Sequence, residues 1–419
     1  RSVPPSRRPL EGGTLEPLTG TVRAPFSVFT PMAETLRPAL GHSLRNVAGF
    51  RSWNPQRNGY RRSTMDLLDL GWDERFAAAF AEFATLGLCP ARVTLQHRGV
   101  FRVHAGAGEW TAEVSGTFRH EAGGTSDFPS VGDWVAVEAF PEESRAVIRV
   151  VLPRRTKFSR TAPGKSGGEQ VIAANIDDLF LGTAPDAGLN LRRMERYLTL
   201  SLESGARPVM LLTKADLCRD IDRNVKKLRS IGPGIDVLVV SVVSGVGLDA
   251  FGTYFQRGRT AAILGPSGVG KSTLINRVCG KPLMRVQAVR ERDQKGRHTT
   301  THRELIALPN GGLIIDTPGI RELRLWEGGE GIGEAFDDIE QLALQCRFTD
   351  CRHVSEPGCA VLKAVAEGSL DRNRLESQRK LKRELEQFGR KYENRALPEQ
   401  RVRWNSAMKS ARTPNKPKA

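Results

Sequence analysis

Hydrophobic residues are scattered without period through residues 1–65, where Pro, Arg, Gly and Ser dominate. Such sequence buries too little apolar surface to offset the entropy of ordering, which predicts a mostly disordered extension. A helical period follows from Glu74 to Leu86, with Phe76, Phe80 and Phe83 on one face. The period then changes to two. Ala91–His104, Glu109–Phe118, Asp133–Ala139 and Ala146–Leu152 read as short strands between Gly, Pro and Ser turns. Four or five short strands in so little chain, with bends at Gly116 and Gly132, predict a small closed β-barrel of OB type. Barrels of this size are oligonucleotide binders or plain scaffolds, and the pattern leaves both open.

Beyond Leu152 comes a linker carrying Arg154, Arg155, Lys157, Arg160 and Lys165 among glycines. Strands and helices then alternate. Strands are expected at Asp178–Gly182, Pro208–Leu212, Val237–Val240, Thr260–Leu264 and Leu313–Ile315. Helices are expected at Leu191–Ser204, Asp220–Ile231, Leu248–Phe255 and Lys271–Cys279. Uninterrupted apolar strands between amphipathic helices predict a parallel sheet covered on both faces. From Ile332 to about Leu397 the period is helical again, broken by a Cys/His cluster. The expected fold is therefore multi-domain. A lead-in at 66–90 precedes an OB barrel at 91–155 and a linker at 156–170. An α/β domain at 171–328 and a helical domain at 329–397 follow, with basic ends at 1–65 and 398–419.

Length and charge sharpen this division. A chain of 419 residues exceeds one compact core. Its longest apolar runs, such as Val237–Val243, fall far short of the roughly 20 residues a membrane helix needs. No secretory apolar region is visible, so a soluble cytoplasmic protein without membrane contact is expected. The net charge of +16 lies entirely at the ends: residues 1–65 carry +7, residues 371–419 carry +9, and the body is neutral. Basic arms on a neutral body suit contact with a polyanion, with solvated tails as the alternative. The start at Arg1 fits a fragment, a processed form or an over-extended gene start. Arg-rich, acid-poor composition also fits an organellar transit peptide, although no clear amphipathic helix is present.

Candidate chemistry begins at Gly265-Pro266-Ser267-Gly268-Val269-Gly270-Lys271-Ser272, a complete P-loop placed between an apolar strand and a helix. Its glycines let backbone amides converge on phosphates, and the helix N-terminus adds its dipole. Lys271 is expected to reach the β- and γ-phosphates and Ser272 to hold Mg²⁺, with Thr273 also in the nucleotide site. Downstream, Asp316-Thr317-Pro318-Gly319 ends an apolar strand. Asp316 fits the acid that supports Mg²⁺, and the Gly319 amide a γ-phosphate contact. Between these elements, Lys295–His302 reads as a switch loop from which Thr300 or a neighbour completes the Mg²⁺ shell.

The base is chosen elsewhere. Thr213-Lys214-Ala215-Asp216 follows a strand: Asp216 can accept from guanine N1 and N2 and Lys214 can pack over the ring. Ser241-Val242 at the end of the next strand offers a backbone amide to O6. Together they favour GTP over ATP. Both precede the P-loop, the reverse of the Ras-like order, so the α/β domain reads as a circularly permuted GTPase. Finally, Cys346, Cys351, His353 and Cys359 form a C-x4-C-x-H-x5-C pattern suited to one structural, tetrahedral Zn²⁺.

With these motifs the chain resembles the ribosome small-subunit-dependent GTPase A family, called RsgA, YjeQ or EngC, over roughly residues 66–395. The resemblance rests on the barrel, Ala173-Ala174-Asn175-Ile176-Asp177, the permuted order, Gly296-Arg297-His298-Thr299-Thr300-Thr301 and the zinc pattern. It implies GTP hydrolysis stimulated by the small ribosomal subunit and its 16S-type rRNA during late assembly, by a protein expected to be monomeric. Ile320 stands where Ras-type enzymes place the water-orienting Gln, so intrinsic turnover should be slow. The family's proposed substitute matches His298, which could equally bind rRNA or shape the switch. Two other classes compete. One is an RNA-binding protein whose nucleotide only stabilises the fold. The other is an ATP-dependent P-loop enzyme, against which Thr213–Asp216 argues.

Overall fold

The computed structural model describes residues 65–97, 99–106, 108–161, 169–185, 189–280, 303–316 and 330–387. The basic extension before Met65, the switch loop with His298 and Thr300, the segment with Gly319 and Ile320, and the tail from 398 lie outside the described residues. No helix among the described residues is long and apolar enough to cross a membrane.

Asp73 starts α1 (Glu74–Thr85) by accepting from the Phe76 amide at 3.1 Å. Phe76 and Phe80 face inward beside Trp72, whose ring meets that of Trp134 at 4.7 Å. The period-two region forms β1 (Cys89–His97), β2 (Val100–His104), β3 (Glu109–Val114), β4 (Trp134–Phe140) and β5 (Arg145–Val151). The stretch read as one strand from Ala91 to His104 is two, turning at Gly99 with φ +86°. The strand expected to reach Phe118 stops at Val114, because Ser115 caps the short helix α2 (Gly116–Glu121) through the Phe118 amide. The order β1-β2-β3-β5-β4, with β4 returning to β1 and β3 parallel to β5, closes a five-stranded OB-like barrel.

The expected linker is partly strand. β6 (Lys157–Thr161) and β7 (Glu169–Ala174) pair antiparallel, with Phe158 and Val171 buried. Its basic residues concealed the strand, since their partners are distant: Arg154 meets Asp133, Arg155 meets Asp73, and Lys157 meets Glu169.

The α/β sheet contains β8 (Asp178–Thr183), β9 (Arg207–Leu212), β10 (Val237–Val239), β11 (Thr260–Leu264), β12 (Arg303–Ala307) and β13 (Leu313–Asp316). Its order is β10-β9-β8-β11-β13-β12. Alternate residues of one strand serve different cores. Leu179, Leu181, Met210 and Leu212 join one cluster, while Phe180, Val209 and Leu211 join the other. Helices α3 (Leu191–Ser204), α4 (Ile221–Ile231), α5 (Leu248–Gly252) and α6 (Lys271–Cys279) complete the domain.

An all-parallel sheet is not what forms. β12, absent from the expected elements, runs antiparallel to β13 and pairs antiparallel with barrel strand β1. The α/β sheet and barrel are thereby one eleven-stranded sheet among the described residues. A buried arginine closes the same junction. Arg92 is fully buried and donates to the carbonyls of Leu70, Gly132 (3.2 Å) and Asn175 (3.1 Å). Gly132, at φ +90°, is required there, because a Cβ would lie 2.1 Å from the Ala174 carbonyl.

After β13 come α7 (Glu330–Ala335), α8 (Asp337–Ala343), α9 (Ala360–Ala366) and a helix over residues 372–387. α7 lies against α3 so closely that a Cβ on Gly331 would be 2.7 Å from the Thr199 carbonyl.

Candidate nucleotide site and metal centre

β9 and β10 extend to one side of β8, whereas β11 and β13 extend to the other. The strand order therefore reverses between β8 and β11, which is where open α/β sheets bind ligands, at the carboxyl ends of the strands. The loop from Gly265 to Gly270 leaves β11 at this point and enters α6. Gly265 nestles against β8: a Cβ would lie 3.1 Å from the Gly182 carbonyl. Gly268 and Gly270 take φ of +79° and +96°, conformations that side-chain-bearing residues rarely adopt. Lys271 Nζ donates to the Gly265 and Pro266 carbonyls at 2.9 and 3.0 Å, which sets its ammonium over the loop. Pro266 and Ser272 are half-buried, Ser267 and Thr273 exposed. Such a loop at a helix start can cradle phosphates.

The second candidate element sits at the ends of β9 and β10. The buried Thr213 hydroxyl bonds to Val269 of the phosphate loop at 2.7 Å and to Thr183 at the end of β8 at 3.1 Å. This tie between the two loops went unnoticed in the sequence, because it joins residues 56 positions apart. Lys214 has φ +52°, and Ala215 donates to Val240 at 3.1 Å, so the loop turns tightly back across the sheet edge. Ser241 is buried. Its hydroxyl donates to Asp216 and accepts from the Ser244 amide at 3.1 Å. Asp216 is thus held with its carboxylate exposed, and half-buried Val242 follows Ser241 on the same loop. The fold brings both loops and the phosphate loop to one edge. Asp316 reaches that edge at the end of β13, neighbour to β11. Hydroxyl and carboxylate donors at Ser272 and Asp316 suit a hard cation such as Mg²⁺.

The Cys/His cluster is assembled from three local structures. Cys346 follows α8, and Cys359 caps α9 by accepting from the Leu362 amide at 3.4 Å. His353 stands between them at φ +59°. One ligand atom from each of Cys346, Cys351, His353 and Cys359 lies within 4.8 Å of every other. Cys346 and Cys359 sulfurs are 3.8 Å apart, and His353 Nδ1 is 3.6 and 3.4 Å from them. Tetrahedral zinc with bonds of about 2.3 Å to sulfur and 2.0–2.1 Å to nitrogen requires edges of roughly 3.8 and 3.5 Å. The donor set therefore fits zinc. Burial lowers the His353 pKa, which favours the neutral ring a metal needs. Glu356, which sequence reasoning passed over, shapes this loop. Amides including its own and those of Ser355, Val354 and Arg352 hold its pKa at about 2, and its carboxylate accepts from Val354 at 2.7 Å.

The chain is similar to known proteins. The RsgA GTPase family model matches residues 151–326, and a model described as 50S ribosome-binding GTPase matches residues 260–394. The small ribosomal subunit biogenesis GTPase RsgA of Opitutus terrae is 43% identical over 357 residues, 83% of this chain and 97% of that protein. Its namesake in Streptomyces coelicolor is 44% identical over 336 residues, 80% of this chain and 90% of that one. Among solved structures, YjeQ from Thermotoga maritima aligns with a TM-score of 0.55 at 27% identity, covering 71% of this chain and 98% of that one. YloQ, described as a circularly permuted GTPase, aligns at 0.52 and 24% identity over 72% and 96%, a likeness of fold.

Proposed function

The chain belongs to the RsgA GTPase family, and from that premise we propose that it hydrolyses GTP as a late assembly factor of the small ribosomal subunit. In this reading the subunit stimulates hydrolysis, and hydrolysis releases the protein. The observation that carries the GTP assignment is the single sheet edge holding the phosphate loop, Thr213–Asp216 and Ser241. The ribosomal partner is carried by the relatives' shared name over most of both chains.

Residue roles follow from chemistry. Lys271 engages the β- and γ-phosphates and the loop amides hold the α- and β-phosphates. Asp216 accepts from guanine N1 and N2, Lys214 covers the ring, and a backbone amide of the Ser241-Val242 loop meets O6. Ser272, Thr300 and Asp316 would hold Mg²⁺, Asp316 through water, and the ion would neutralise charge on the β- and γ-oxygens. The Gly319 amide contacts the γ-phosphate. His298 orients the attacking water in place of the glutamine that Ile320 replaces. Cys346, Cys351, His353 and Cys359 hold one structural zinc.

The deciding experiment measures turnover of GTP and of ATP with and without purified small subunits. Strong stimulation restricted to GTP is expected; turnover indifferent to the subunit would defeat the ribosomal reading. His298→Ala should abolish the stimulated component while leaving GTP affinity nearly intact. Unchanged stimulated turnover in that variant would remove His298 from the mechanism.

A further inference from the structure

β12 has two partners of different kinds. On one side lies β13, which ends in Asp316; on the other lies β1, a wall of the barrel. Glu304 faces Asp316 across the first ladder and Leu95 across the second, so one level crosses three strands from the nucleotide edge into the barrel. With strands about 4.8 Å apart, the backbone of Asp316 is about 10 Å from β1.

Side chains fasten the neighbouring level. Arg303 Nη1 donates to Gln96 Oε1 at 2.9 Å, and Gln96 Nε2 donates to the Pro129 carbonyl at 3.3 Å. Pro129 leads into the barrel loop whose Gly132 packs on β13, with an added Cβ there 3.0 Å from Ile315 Cδ1. The barrel thus grips β13 twice, through β12 and directly at the residue before Asp316.

We propose that Gln96 is a positioning residue for GTP hydrolysis: through Arg303 it fixes β12, and β12 fixes the acid-bearing end of β13. The nucleotide site and the barrel are then coupled through a continuous strand ladder. By linkage, a partner bound to the barrel shifts nucleotide affinity by the same factor as nucleotide shifts affinity for that partner. The proposal rests on GTP hydrolysis and not on the ribosomal partner.

The test uses the full chain without ribosomes, in single-turnover hydrolysis with protein in excess over GTP and saturating Mg²⁺. Gln96→Leu and Arg303→Met are each expected to lower the rate about tenfold, as small misplacements of reacting groups do. GDP affinity and melting temperature should hold nearly constant, and the double variant should be no slower than the slower single. Gln96→Glu keeps the acceptor for Arg303 but loses the donor to Pro129, and should run several-fold faster than Gln96→Leu, a rescue that mere filling of space would not give. Undiminished rates, multiplying effects in the double variant, a Gln96→Glu as slow as Gln96→Leu, or loss of GDP binding in step with rate would each overturn it. Since turnover is read without subunits, failure of the ribosomal reading leaves this result standing.

Discussion

Two buried arginines close the two junctions of this molecule, and they do so with opposite chemistry. Arg92, between barrel and α/β domain, donates to three backbone carbonyls and, among the described residues, to no carboxylate. Burial pushes its pKa down to about 10. Arg374, from the helix over residues 372–387, grips Asp338 with two bonds of 2.7 Å, and also meets Glu195 of α3 at 3.3 Å and the Ala335 carbonyl at 2.9 Å. It lies over the Phe336 ring at 4.8 Å, and although burial opposes its charge, Asp338 and Glu195 raise its pKa. At the first junction Arg92 is held by neutral carbonyls, with the ion pairs Arg154–Asp133 and Arg155–Asp73 beside it. The second depends on charges that salt and pH can alter.

That contrast can be broken in several ways. Arg92→Met should have the largest effect, leaving the buried carbonyls of Leu70 and Asn175 without this donor at roughly 1–3 kcal/mol each, while Gly132 keeps its bond from Asn175 Nδ2. Loss of soluble full-length protein, or a melting temperature lowered by well over ten degrees, is expected. A mild phenotype would mean that water or a neighbouring residue satisfies those carbonyls. Gly132→Ala probes the same junction by steric means and should fall close behind, since the Ala174 carbonyl cannot retreat from its ladder.

Arg374→Met should cost about 3–5 kcal/mol by stranding buried Glu195. Its damage should be local, with faster hydrogen exchange in α3, α7 and α8 and normal exchange in the barrel. Uniformly faster exchange would show that the second junction is as global as the first. A chelator should likewise loosen the 346–359 loop and α9 while GDP binding at the carboxyl ends of the strands persists. Loss of GDP binding on chelation would contradict that separation.

The smallest effect concerns pH. Burial raises the Glu195 pKa, against the pull of Ser377 and Arg374. A carboxyl that holds its proton more tightly when folded adds stability below its unfolded pKa of about 4.5, and that addition disappears as pH rises through the folded value. Wild type should therefore lose stability relative to Glu195→Gln as pH rises from about 4.5 toward neutrality, by roughly 1 kcal/mol or less. The carbonyl contacts of Arg92 should show no such slope, and identical pH profiles for wild type and Glu195→Gln would refute the assignment.

The parts that the sequence disclosed are those whose cause lies within a few residues. Leu191–Ser204 matches its helix end to end because Asn190 caps it and Gly205, at φ +80°, ends it. Lys271–Cys279 likewise runs from Gly270 to Gly280, both at positive φ. The cysteine pattern was legible because a metal site constrains ligand type and spacing. β12 was not: Arg303 and Glu304 open it with two charges, and its apolar content is three residues. Arg92 gave no sign either, since a strand arginine ordinarily faces solvent, whereas both faces of β1 are covered there.

The sequence by itself determined the local elements, the motifs, their permuted order and hence the family. The tertiary structure alone decided that the barrel continues the nucleotide sheet, that Arg92 is enclosed by carbonyls, and that Arg374 secures the helices beside the Cys/His cluster to α3. The first two rest on backbone groups, the third on carboxylates as far as 179 positions from Arg374. A ladder or a carbonyl cage uses backbone groups that every residue carries, and Gln96 meets Arg303 from 207 positions away, so no local pattern announces either.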